Sequence, residues 1–169
     1  MTDQPEPEAN PLPESVPCAY GELSYEDFKS KYSDVYDQVA DAAHLLTGRV
    51  TTQAKLSGLD IKIQSLRPSE QGLLMDSFPT DLNSQESARQ VATYELYKVA
   101  ACLVSAGGTS YPPLKTRVDT TPEEFIESLR DIVEAVNSMD PALVSFIANI
   151  YEDMNRAKQL AFVETHTRP

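Results

Sequence analysis

Two rows of carboxylates are the residues of this sequence whose types and spacing could do chemistry. Each row has three members at steps of three and four residues, namely Asp34, Asp37 and Asp41 in the first and Glu127, Asp131 and Glu134 in the second. At that spacing each row lies on one face of a predicted helix. Calcium and magnesium sites need oxygens that converge from loops or from several elements. We therefore favour the interpretation that both rows are the solvated sides of amphipathic helices.

The other reactive side chains form no catalytic or metal-binding pattern. Cys18 lies in a proline-rich segment, Cys102 lies in an apolar one, and both histidines are isolated in the sequence. His44 is close to a predicted helix end, where the helix dipole favours it. Neither a P-loop nor a Gly-x-Ser-x-Gly motif is present. The sequence predicts a protein without enzymatic activity, metal or cofactor, and an enzyme built from scattered carboxylates is the weaker alternative.

Acidity disfavours several classes of partner. The chain carries a net charge of −12, of which residues 1–41 contribute −8. Phosphate backbones repel such a chain, so direct nucleic-acid binding is not expected. Tyr25, Tyr32 and Tyr36 lack the basic surroundings of a base-stacking platform, and we expect them to pack in the core.

No stretch approaches the roughly 20 apolar residues that span a bilayer, and the N-terminus has no secretory pattern, so we expect no membrane partner and a cytoplasmic location.

Apolar periodicity places most of the chain in helices. An apolar stripe follows the capping residue Ser24 and continues to Gly48, which is a natural helix stop. A later helix is apolar on nearly every side between Leu96 and Val104 and is expected to end at Gly107. The predicted helices begin at Ser24, Pro68, Asn83, Thr121 and Asp140.

One β-hairpin interrupts the helices. Two alternating apolar and polar runs surround Ser57-Gly58, which predicts a hairpin within residues 49–66. A lone hairpin is only marginally stable, so it must pack on the helices or pair with other copies, which leaves an oligomer open. The predicted fold class is mainly α, a helical bundle of about five helices with one small hairpin. It forms a single domain over residues 21–165, preceded by a flexible, acidic, proline-rich tail over residues 1–20.

The order of elements in residues 49–108 carries a resemblance to a known family. Residues 55–63 read KLSGLDIKI and residues 66–70 read LRPSE, which is a Gly-turn strand pair followed by a capped helix entry. This order resembles the tail-assembly chaperones and baseplate-hub assembly proteins of tailed bacteriophages. The resemblance implies that a helical bundle follows, including residues 89–105 and 121–155. The acidic tail and the long first helix lie outside the family pattern.

The resemblance implies a non-enzymatic protein of bacteriophage tail or baseplate assembly that acts through protein–protein contacts. Its partners would be tail, tape-measure or baseplate subunits in the host cytoplasm, and a permanent place in the virion stays open. The alternative is an acidic cytosolic adaptor or inhibitor that mimics nucleic-acid charge and binds a basic protein. Partner contact is predicted on the hairpin and on the apolar flank of the third helix, at Leu56, Leu59, Ile61, Ile63, Leu96, Val99 and Leu103.

Overall fold

Six strands and eight helices occur in residues 11–78 and 86–166, the parts of the chain that the computed structural model describes. The strands are β1 (Ser15–Cys18), β2 (Gly21–Ser24), β3 (Thr51–Leu56), β4 (Leu59–Gln64), β5 (Leu103–Ala106) and β6 (Thr109–Ser110). The helices are α1 (Tyr25–Lys31), α2 (Ser33–Ala40), α3 (Ala42–Thr47), α4 (Pro68–Ser77), α5 (Glu86–Cys102), α6 (Pro122–Ser128), α7 (Arg130–Asn137) and α8 (Pro141–His166).

The predicted mainly α bundle of about five helices with one hairpin is wrong. The hairpin itself is present as β3 and β4, and its turn residues Ser57 and Gly58 have φ of 50° and 83°. However, β4 also pairs with β5, and β5 pairs with β6, which gives a four-stranded antiparallel sheet in the order β3-β4-β5-β6. A second sheet consists of β1 and β2. The fold therefore mixes helices and sheets.

The largest local difference is β5, which the sequence predicts as the end of a helix. A short apolar run without a clear period is compatible with a buried strand as well as with a buried helix. In the structure α5 ends at Cys102, and the next residues pair with β4, with Ile61 opposite Ala106 and Ile63 opposite Leu103. The tertiary approach of β4 therefore decides the conformation of this run.

Two long predicted helices are divided into shorter ones. The helix expected from Ser24 to Gly48 breaks at Tyr32 and at Asp41, and the helix expected after Thr121 breaks at Leu129. The predicted starts are confirmed, because the Ser24 hydroxyl accepts a hydrogen bond from the Asp27 amide and Thr121 forms a capping box with Glu124. Local caps were therefore predictable, whereas the breaks were not.

The N-terminal segment is partly structured, which corrects the predicted tail. Strand β1 lies within residues 1–20, and Val16 is buried at 2% exposure. The Asp153 carboxylate accepts a hydrogen bond from the Ala19 amide at 2.8 Å, which ties this segment to α8. Residues 1–10 lie outside the described residues, so the tail prediction is untested there.

Helix α8 lies at the centre of the core. It packs against α2, α5 and the strands β3 and β4. One side of it is buried, through Ile147, Ile150, Tyr151, Met154, Ala157 and Ala161. The expectation that Tyr25, Tyr32 and Tyr36 pack in the core is confirmed, since each is at most 8% exposed. Their hydroxyls find polar partners, as buried tyrosines usually do.

Candidate functional site

The residues predicted to contact a partner fall into two groups. Four are buried in the core at 2% exposure or less, namely Ile61, Ile63, Val99 and Leu103. Three are partly buried and pack against the core, namely Leu56, Leu59 and Leu96. A buried side chain offers no surface to a partner while this fold is kept. The hypothesis of partner contact therefore now rests on the second group.

Leu56 and Leu59 form the tip of the β3–β4 hairpin. They are opposite each other across the Ser57-Gly58 turn. Leu59 also packs on the β5–β6 turn, where a Cβ atom added to Gly107 would lie 2.7 Å from Leu59 Cδ1. The Gly107 amide donates a hydrogen bond to the Asp60 carbonyl at 2.9 Å. The tip is therefore held against the sheet while part of its apolar surface faces solvent.

Strand β3 forms one edge of the four-stranded sheet. The Gln38 side chain from α2 covers the beginning of this edge, because its amide nitrogen donates to the Thr51 carbonyl at 2.7 Å and its amide oxygen accepts from the Thr51 N–H at 2.9 Å. Backbone groups alternate in direction along an antiparallel strand. The N–H and C=O groups of Gln53 and Lys55 therefore point away from β4, on the same side as those of Thr51.

A groove of about 580 Å³ runs beside this part of the edge. One wall comes from β3 and its hairpin, and the other comes from α1 and the β1–β2 turn. Its lining residues are Tyr20, Asp27, Ser30, Lys31, Gln53, Ala54, Lys55 and Asp60. The ammonium group of Lys31 lies 4.1 Å from the centre of the Tyr20 ring, and Lys55 pairs with Asp60 at 3.3 Å. Solvent thus reaches the outward backbone groups through a polar groove with charges of both signs.

We name the outward side of Gln53 and Lys55, together with the apolar tip Leu56 and Leu59, the β3 edge site. Sequence patterning found the hairpin and its tip, but it gave no indication of Gln38. A single amide on a helix carries no local signal, because its role depends on how closely α2 approaches β3.

The carboxylate rows have ordinary structural roles. Asp41 caps α3 by accepting from the Ala43 amide at 2.9 Å, and Asp34 accepts from the Thr52 hydroxyl at 3.1 Å. The second row, on α6 and α7, is exposed to solvent. Within the described part of the chain, no three His, Cys, Asp or Glu side chains form a group that could hold a metal ion.

Both cysteines are free thiols. Burial raises the pKa of the Cys102 thiol to about 12, so it stays protonated near neutral pH and is a poor nucleophile. Cys18 is partly buried. Neither thiol therefore adds a reactive group to the β3 edge site.

Comparison with known proteins identifies no relative: no protein-family model, no curated protein and no solved structure matches this chain. None of the helices described by the structure is both long and apolar enough to cross a membrane.

Proposed function

We propose that this protein works without catalysis by binding other proteins, and that the β3 edge site receives an extended segment of the partner. The observation that carries the proposal is the outward-facing backbone of Gln53 and Lys55, beside a groove that reaches solvent. An extended peptide can add to such an edge as a further strand. The setting we propose is bacteriophage tail or baseplate assembly. Two elements that carry that resemblance support it, since the hairpin is present and α4 begins at Pro68.

The size of the edge limits how tightly it can bind on its own. Two outward residues offer two N–H and two C=O groups, and each hydrogen bond contributes about 0.5–1.5 kcal/mol net. That sum gives at best a weak complex. The partly exposed Leu56 and Leu59 add apolar contact next to the same edge. Lys55 has the character of a charged edge residue that discourages pairing between identical copies. We therefore expect a partner segment with apolar side chains near the tip.

The test is Gln53→Pro. Proline is compatible with the solvent-facing side of an edge strand, because the N–H that it removes does not pair with β4. We expect Gln53→Pro to keep the fold. The loss of one or two hydrogen bonds to the partner segment should reduce recovery of the native partner at least about tenfold. The measurement is affinity purification of the tagged full chain from cells that produce its native partners, with quantitative mass spectrometry. A tail, tape-measure or baseplate subunit as main partner would support the phage setting.

The matched control is Gln53→Thr, which changes the same side chain but keeps the backbone donor and suits a strand. It should recover the partner as well as the unmodified chain does. Circular dichroism and a thermal melt verify that both variants fold. Equal recovery by a folded Gln53→Pro variant would exclude strand addition at this edge.

A second candidate function is the acidic adaptor that binds a basic protein. Its supporting observation is the solvent-exposed side of α6 and α7, which carries Glu123, Glu124, Glu127, Asp131 and Glu134. Only Arg130 offsets these charges within the two helices, and it pairs with Glu127. Exposed charge contacts are screened by salt. This function predicts that Gln53→Pro leaves the complex intact and that replacing Glu123, Asp131 and Glu134 by their amides releases it.

A further inference from the structure

A second cavity, of about 720 Å³, lies between α8, the α3–β3 turn and the start of α4. Its apolar wall consists of Val39, Val50, Leu66, Phe162 and Val163. The first three of these are buried, whereas Phe162 is 46% exposed, so the cavity opens to solvent beside it. Its volume is within the range of small-molecule pockets.

Lys158 is the charged group that distinguishes this cavity. Its ammonium nitrogen donates a hydrogen bond to the Gly48 carbonyl at 2.9 Å, at the end of α3. None of the ion pairs between residues that the structure describes includes Lys158. Burial lowers the pKa of Lys158 below its ordinary value. An ammonium group has three donors, so two remain after the bond to Gly48.

The rest of the polar lining suits a singly charged anion. Gln71, Asn155 and Gln159 contribute amide groups, and the Gln71 amide nitrogen donates to the Tyr151 hydroxyl at 3.3 Å. His44 lies in the same lining. Glu152 carries the one carboxylate among the lining residues that the structure describes, and Lys98 donates to it at 2.8 Å. A dianion such as a phosphate monoester would meet one cation and one nearby carboxylate, so a monoanion is favoured.

We propose that this cavity binds a small organic monocarboxylate, with its carboxylate at Lys158 and its hydrocarbon part against the exposed ring of Phe162. A carboxylate would accept a charge-assisted hydrogen bond, which is about twice as strong as a neutral one. The hydrocarbon part would cover the apolar wall and remove it from water. The proposal is independent of strand addition at the β3 edge site, because the two sites share no residue.

Octanoate is the probe for the test, and octan-1-ol is its uncharged counterpart. Calorimetric titration of the full chain near pH 7 should give at least about tenfold tighter binding of octanoate than of octan-1-ol. Lys158→Gln removes the charge but keeps an N–H donor, on a side chain that is one atom shorter. We expect this variant to bind the two probes equally. Lys115→Gln, which removes an exposed lysine elsewhere, should bind them as the unmodified chain does.

A second variant, Phe162→Gln, tests the apolar wall and keeps the proposal testable if Lys158→Gln does not fold. Phe162→Gln changes a partly exposed residue, so it should fold, and it should weaken the binding of both probes. A melting curve accompanies each variant. The proposal is overturned if octanoate does not bind, if octan-1-ol binds equally well to the unmodified chain, or if folded Lys158→Gln retains the preference for octanoate.

Discussion

Glu70→Ala is expected to lower the free energy of unfolding by about 3–5 kcal/mol, because it leaves Arg49, whose side chain is only 19% exposed, without its ion-pair partner. Glu70 is fully buried near the start of α4. Its carboxylate accepts hydrogen bonds from Arg49 at 2.6 Å, from the Thr116 hydroxyl at 2.9 Å and from the Arg67 amide at 2.8 Å. It therefore joins the beginning of α4 to the α3–β3 turn and to the loop after β6. Urea denaturation measures the change.

Asp60→Ala is the matched control for the Glu70 prediction. Asp60 also forms an ion pair, with Lys55, but the two side chains are 79% and 66% exposed. Exposed pairs contribute roughly 0–1 kcal/mol, so this variant should unfold almost as the unmodified chain does. Equal effects of the two substitutions would show that burial of the Arg49–Glu70 pair does not set its contribution.

Asp153→Ala is expected to cost about 3 kcal/mol, since it leaves a buried hydroxyl and a partly buried amide without their acceptor. One oxygen of the Asp153 carboxylate accepts from both the Ala19 amide at 2.8 Å and the Tyr32 hydroxyl at 2.7 Å. Asp153 thereby holds the N-terminal hairpin and the junction between α1 and α2 against α8. Asp153→Asn places a neutral oxygen at the same position and can keep both hydrogen bonds. We expect the asparagine variant to be much more stable than the alanine variant.

The raised pKa of Asp153 also predicts that stability depends on pH. Burial is the main cause that raises the pKa of Asp153 above its ordinary value near 3.8, although the hydrogen bonds from Ala19 and Tyr32 oppose it. As the pH rises from 3.8 towards the raised pKa, Asp153 loses its proton in the unfolded chain before it does so in the folded chain. The contribution of Asp153 to stability therefore falls between pH 3.8 and the raised pKa, and then stays constant.

The measurement is urea denaturation of the unmodified chain and of Asp153→Asn at several pH values from the ordinary pKa upward. Other carboxylates titrate in the same range, but they are common to both proteins and cancel in the difference. The stability of the unmodified chain relative to Asp153→Asn should decrease as the pH rises. A relative stability that increases with pH would mean that the hydrogen bonds, and not burial, dominate at this carboxylate.

The β3 edge site and the cavity that contains Lys158 differ in how far the sequence predicts them. The alternation of residues 50–63 and the Ser57-Gly58 turn predicted the hairpin, so the tip residues Leu56 and Leu59 were found. That Gln53 and Lys55 face outward depends on β5 pairing with the other side of β4, and on Gln38 reaching only as far as Thr51. Lys158 reads in the sequence as an ordinary helix lysine, because its partner Gly48 is 110 positions away.

The sequence by itself determined what depends on neighbours a few positions apart. It placed the turn at Ser57-Gly58, the helix starts after Ser24 and Thr121, and the entry to α4 at Pro68. Turns and caps are hydrogen-bonded within a few residues, so short-range patterns specify them. Only the tertiary structure decided that the apolar run after Cys102 is a strand, since its backbone is satisfied by β4, about 40 positions earlier in the chain. Long-range pairing leaves no periodic trace in a four-residue strand, and that is why the fold class changed from a helical bundle to a mixture of helices and sheets.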